Sequence, residues 1–253
     1  LVLAIDGALS ESGTVSVSGG ELALGGTVRK VTTLSLLGGK ISGGSLSASG
    51  LDLRSGEVSA VLSGDAALLK TGTGLVVLSG ANVYRGETVV SEGTMRLAGS
   101  GVQTISGGTI TIGGGRLEIG TGGQIGDTAD VRLNSGVLAF APEVSGVSET
   151  IGTLRVVGGE LITGANTLIG SGSTVRLEGG LSTVSAGGLL RDHHLVISGG
   201  TNRIAQGGTL EVRSAQVGVS IWIRNREDGR NNRFTHDGWW YRRFDGRLWF
   251  RFC

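Results

Sequence analysis

Apolar and polar residues alternate along most of this chain, in short stretches that each end at Gly or Gly-Gly. Leu22/Leu24, Ile110/Ile112, Leu117/Ile119, Leu133, Leu154/Val156, Val175/Leu177 and Leu210/Val212 are the apolar positions of successive stretches. Ser16, Thr111, Glu118, Arg132, Arg155, Arg176 and Glu211 fill the places between them. A period of two puts one set on each face of a β-strand. The pattern recurs imperfectly from about residue 14 to about residue 213. Gly at the ends of the stretches supplies corners with positive φ at little steric cost. No amphipathic stretch of helical length survives this glycine spacing, so no helix is expected.

Strands of about four to six residues are too short for a membrane barrel, whose strands need about 9–11. They fit a solenoid that bends at each glycine corner and coils. With about 20 residues per coil, the repeat region predicts roughly 10 coils. At about 4.8 Å per stacked strand, that is a rod roughly 50 Å long. Val, Leu and Ile would stack inside as ladders. Aromatic residues, 4% of the chain, would be too wide for the bore. The open ends of such a rod invite strand addition, so end-to-end association is expected if they are uncapped.

Composition narrows the class further. Of 253 residues, 49 are Gly and one is Pro, which excludes collagen and proline-rich linkers. The net charge of +1 gives no basic groove for nucleic acid. The single cysteine, Cys253, permits neither an internal disulfide framework nor a cysteine metal cluster. No apolar run is long enough for a transmembrane helix. The opening Leu1-Val2-Leu3-Ala4 lacks Met and a basic n-region and reads as an internal segment.

Residues 68–97 carry a denser signature. Lys70, Gly72, Gly74, Leu78, Ser79, Gly80, Asn82, Tyr84, Gly86, Thr88, Val90, Gly93, Thr94 and Leu97 fall in one spaced pattern, with Met95 where the pattern has Leu. This stretch closely resembles the autotransporter-associated β-strand repeat. The resemblance implies an all-β, right-handed parallel β-helix in a secreted or bacterial cell-surface protein, associated with the outer membrane. It implies a structural passenger segment and carries no catalytic residues or cofactor.

Composition changes abruptly after residue 215, so the chain divides into a repeat region, 1–215, and a tail, 216–253. Nine of the 11 aromatics and eight arginines lie in residues 221–253, against four acidic residues. Asp228-Gly, Asp237-Gly and Asp245-Gly each precede an aromatic stretch, which is a hairpin-turn signal. The tail loosely resembles the aromatic hairpin repeats of bacterial wall- and glucan-binding modules. Trp239, Trp240, Tyr241 and Trp249 are therefore candidate glycan-binding residues. A cap on the last coil, or an extension foreign to the fold, would fit the same tail.

Other candidate chemistry is thin. Two adjacent histidines on a strand point to opposite faces, so His193-His194 is read as a loop or corner and not as metal ligands. Gly122 to Asp130 has part of the calcium nonapeptide pattern, with one glycine a place late and no second copy, and is read as a polar turn. Glu118, Glu160, Glu178 and Glu211 are spread along the rod, without the local pairing that glycoside hydrolysis needs. Arg96, Arg132, Arg155 and Arg176 alternate with acids, which predicts a self-neutralising outer face. The sequence thus points to a non-catalytic surface stalk, serving display and adhesion to surface glycans or to host or neighbouring cells. A carbohydrate-binding protein acting through its tail and a β-helical polysaccharide-degrading enzyme are the other two readings.

Overall fold

A computed structural model describes residues 13–100, 103–106, 108–140, 147–164, 168–205 and 209–217, together with the tail strands 221–224, 231–234, 242–244 and 247–250. Every named element among these residues is a strand. From Thr14–Ala23 to Thr209–Val217 each strand pairs in parallel with a strand of a neighbouring turn, giving a β-solenoid of about 9 turns. Stacked at about 4.8 Å, these make a rod roughly 40 Å long. Turn length varies with the loops. Ser45 faces Val61 one turn on, whereas Asp130 faces Thr153.

The alternating pattern becomes inward ladders. One runs Leu34, Leu51, Leu68, Thr88, Ile110, Val131, Leu154, Val175 and Leu195, each in register with the next. A second runs Leu36, Leu53, Lys70, Val90, Ile112 and Leu133. A third, on the adjoining face, runs Ile41, Val58, Leu78, Leu97, Ile119 and Phe140. Their aliphatic members are almost wholly buried, and each fully buried one contributes about 1.5–3 kcal/mol. The expectation that aromatics are too wide for the bore needs one correction: Phe140 and Tyr84 are both buried in it. Phe140 stacks on Thr163 in the next turn, and this short neighbour leaves the ring room. In the neighbouring ladder of Leu117 and Leu138, Leu161 is followed by Ser182 and Asn202. There a cavity of about 20 Å³ opens among Leu161, Leu177, Ile197 and Leu210.

The strands are longer than the stretches between glycines suggested. Val28–Ser42, Thr109–Ile119 and Asp130–Phe140 pass through glycine corners, with register shifts there, instead of stopping at them. At this corner, glycines of successive turns lie against one another's backbone. Gly136 (φ +80°), Gly159 (φ +74°) and Gly180 (φ +70°) are three of them. A Cβ on Gly159 would sit 2.5 Å from the carbonyl oxygen of Gly136. Both the positive φ and the close approach exclude a side chain.

His193 and His194 lie in the strand Leu189–Ile197 at its register shift, opposite Gly170–Thr174, so they stand at a corner through which the strand runs, with His194 in register between Thr174 and Ser214. In the tail, Ile221–Arg224 pairs antiparallel with Asn231–Phe234, and Arg242–Phe244 with Arg247–Phe250. Arg247–Phe250 also pairs antiparallel with Thr209–Val217, the last strand of the solenoid.

Replacing Gly159 with Ala is expected to lower stability by about 1–3 kcal/mol in urea unfolding. Gly113 has open space where a Cβ would stand, so Gly113→Ala should stay within about 0.5 kcal/mol of the parent.

Candidate functional site

The signature residues of 68–97 turn inward. Lys70 occupies an aliphatic ladder position between Leu53 and Val90 and is fully buried. Its stem packs as an aliphatic chain would, and its Nζ reaches the glycine corner. There it donates to the carbonyls of Thr71 (2.9 Å), Gly72 (2.6 Å) and Glu92 (3.0 Å). Burial lowers the Lys70 pKa, and the nearby Glu92 and Asp52 carboxylates oppose that shift. One ammonium thus satisfies carbonyls from two successive turns at a place where glycines leave no side chain to do so.

Asn82 does comparable work beside the strand Val61–Ser63. Its Oδ1 accepts from the Leu62 N–H (2.8 Å) and its Nδ2 donates to the Thr104 carbonyl (2.8 Å). The amide therefore ties together the turn before and the turn after. Tyr84 is buried, and its hydroxyl lies 2.7 Å from that of Thr88, which takes the place of an aliphatic residue in its ladder. Burial pushes the Tyr84 hydroxyl pKa up.

The family model described as passenger-associated-transport-repeat matches residues 68–97. This stretch is thus similar to a passenger-associated transport repeat. With the solenoid around it, the repeat fits an autotransporter passenger, a secreted or cell-surface protein. No curated protein and no solved structure is significantly similar to the chain.

Beyond the transport repeat, the polar column continues through residues that sequence reasoning passed over. Gln124 is buried below Thr104. Its Oε1 accepts from the Gly99 N–H (2.7 Å) and the Thr104 hydroxyl (2.5 Å), and its Nε2 donates to the Gly99 carbonyl (2.8 Å). Below it, Glu149 accepts from the backbone N–H groups of Gln124 and Ile125, both at 2.9 Å. No fixed spacing marks them: Asn82, Thr104, Gln124 and Glu149 stand 22, 20 and 25 residues apart.

On the outside, charges pair. Glu118 accepts from Arg96 (2.8 Å) and Arg116 (2.6 Å). Burial acts to raise its pKa, but the hydrogen bonds from Arg116 and Arg96 outweigh that and hold it below the usual carboxylate range. Arg132 donates to Asp130 (2.5 Å) and Arg155 to Glu178 (2.8 Å). Arg132, Arg155 and Arg176 stack on one outward column. The exposed pairs contribute about 1 kcal/mol or less each. Self-neutralisation is thus visible for Arg96, Arg132 and Arg155.

Trp239, Trp240 and Tyr241 lie outside the described residues. Trp249 belongs to the strand Arg247–Phe250, in register with Glu211 and Arg242. Around Gly122–Asp130, Gln124 and Ile125 bond to Glu149, and Asp130 pairs with Arg132 and Thr153. Among the described residues, no group of three or more His, Cys, Asp or Glu is arranged to hold a metal ion, and no helix is long and apolar enough to cross a membrane.

Asn82→Ala should destabilise the protein by about 3 kcal/mol, because it leaves the Leu62 N–H and the Thr104 carbonyl buried without their partner. The exposed neighbouring Val83 serves as control, with Val83→Ala expected within about 0.5 kcal/mol by the same unfolding measurement.

Proposed function

We propose that this chain is a non-catalytic stalk segment of an autotransporter-type passenger. In this reading it holds other parts of its protein away from the cell and presents a repetitive outer face for adhesion to surface glycans or neighbouring cells. The observation that carries the reading is the unbroken inward ladder from Leu34 to Leu195, in which each turn buries its apolar face only against its neighbours. A core of this kind gives a rod whose length grows with turn number, as a spacer requires. The paired charges on the outer face support it too, since they keep the rod soluble along its length.

We read residues 216–253 as the end of that rod. The antiparallel pairing of Arg247–Phe250 with Thr209–Val217 supports a capping role, because it covers an edge open to strand addition. Glycan binding by Trp239, Trp240, Tyr241 and Trp249 is the alternative for the same tail.

Antibody labelling of intact, unpermeabilised cells of the bacterium that produces the protein tests the location. Labelling is expected without permeabilisation, and labelling only after it would sink the surface reading. In the full chain, Leu248→Pro with Trp249→Pro removes ladder donors of the covering strand. Concentration-dependent association in sedimentation is the expected result. A variant that stays monomeric would count against the cap.

A further inference from the structure

The inward ladders change their spacing inside the transport repeat. On one wall Leu36, Leu53, Lys70 and Val90 stack in register, and on the adjoining wall Ile41, Val58, Leu78 and Leu97 do so. Along the chain, Ile41 follows Leu36 by five positions, and Val58 follows Leu53 by five. Leu78 follows Lys70 by eight. From the next turn on the interval is seven, as from Val90 to Leu97, Leu133 to Phe140 and Ile197 to Ile204. Turn length changes with it. Leu34 to Leu51 and Leu51 to Leu68 take 17 residues each, whereas Thr88 to Ile110 takes 22 and Ile110 to Val131 takes 21.

The added residues give the core another column. Two positions before Ile41 and Val58 stand the corner glycines Gly39 (φ +86°) and Gly56 (φ +119°), where a Cβ would meet a carbonyl of the turn before. Gly56 is in register with Val76, which is fully buried and is followed in register by Met95, Leu117 and Leu138. An inward column therefore begins at Val76, and the bore is wider after the transport repeat than before it. Such a change leaves carbonyls over. Where a corner repeats from turn to turn, each backbone group meets its counterpart, but the corner after Lys70 is three residues longer than the one before and one longer than the next. The carbonyls of Thr71 and Gly72, and that of Glu92 in the next turn, are the ones that receive the Lys70 Nζ. Among the described members of this ladder, from Val17 to Ile197, Lys70 is the one that is not aliphatic. It stands in the turn where the interval changes.

We propose that the transport repeat is an adaptor that joins a narrow section of the solenoid to a wider one, with Lys70 fitting the two unequal corners together. An aliphatic residue at this place would fill the ladder but leave the surplus carbonyls buried and unpaired. An ammonium on a four-carbon stem does both, because the stem packs as a ladder member and the head has three donors. This role is independent of what the rod presents at the cell surface.

Hydrogen exchange of the full chain tests this with Lys70→Met, which keeps an apolar stem and removes the ammonium. Protection should fall by about tenfold or more in peptides covering 71–75 and 91–94. Peptides covering Val28–Ser42 and Asp130–Phe140, on either side, should keep theirs. Leu133→Lys puts an ammonium at the same ladder position in a turn whose corner matches both neighbours. It should fail to fold or unfold at much lower urea, because no surplus carbonyl is there to receive it. The parent supplies a readout that needs no variant to fold. Of the three lysines, Lys70 should react with an amine-acylating ester about tenfold or more slowly than Lys30 and Lys40. Unchanged protection of 71–75 in Lys70→Met, or an equal fall along the whole chain, would overturn the proposal. So would a Leu133→Lys chain as stable as the parent, since any corner would then accept a lysine, or acylation of Lys70 as fast as that of the other two.

Discussion

At one corner of every turn, the backbone must lie directly against the backbone of the turn before it. Glycine makes this approach feasible. Gly136, Gly159 and Gly180 form part of a column in which a Cβ on one residue would collide with the carbonyl of another a turn away. Strand stacking sets turn-to-turn spacing at about 4.8 Å, so the corner cannot swell without breaking the ladders on either side. The ladders depend on this constraint. Because strands run through the corner, Ile112 and Leu117 can face the same core from two adjoining walls.

A core made only of aliphatic ladders has little to fix which turn pairs with which, since one Val or Leu substitutes well for another. The transport repeat adds directional groups. Lys70 bonds carbonyls on two successive turns, and Asn82 bonds both the turn before and the turn after. A one-residue slip would leave these groups buried and unsatisfied, which costs about 1–3 kcal/mol for each neutral group and more for the ammonium. The motif residues therefore specify register where the strands are short, at Leu68–Lys70 and Thr88–Val90. The outer face follows a different rule. Its exposed pairs between neighbouring turns, such as Arg155–Glu178, remain near water and add solubility more than stability.

Much of the architecture was readable in the sequence. Alternation has a period of two in a strand whatever surrounds it, so the inward Leu154/Val156 and Val175/Leu177 were visible directly, as were the glycine corners between strands. Lys70, Asn82, Tyr84 and Thr88 stood out as a spaced pattern, but the sequence did not reveal that they point inward. A buried lysine is intelligible only once the carbonyls that receive it are in place. The same holds for Gln124 and Glu149, whose partners lie about one turn away in sequence. Turn length varies from Ser45–Val61 to Asp130–Thr153, and such variation hides a column from any fixed-period reading. The sequence by itself determined the strands, their inward faces and the corners, because these depend on local backbone sterics and a period of two. Only the tertiary structure decided the register of the turns, the polar column and the environment of Glu149, because each depends on groups that folding brings together from different turns.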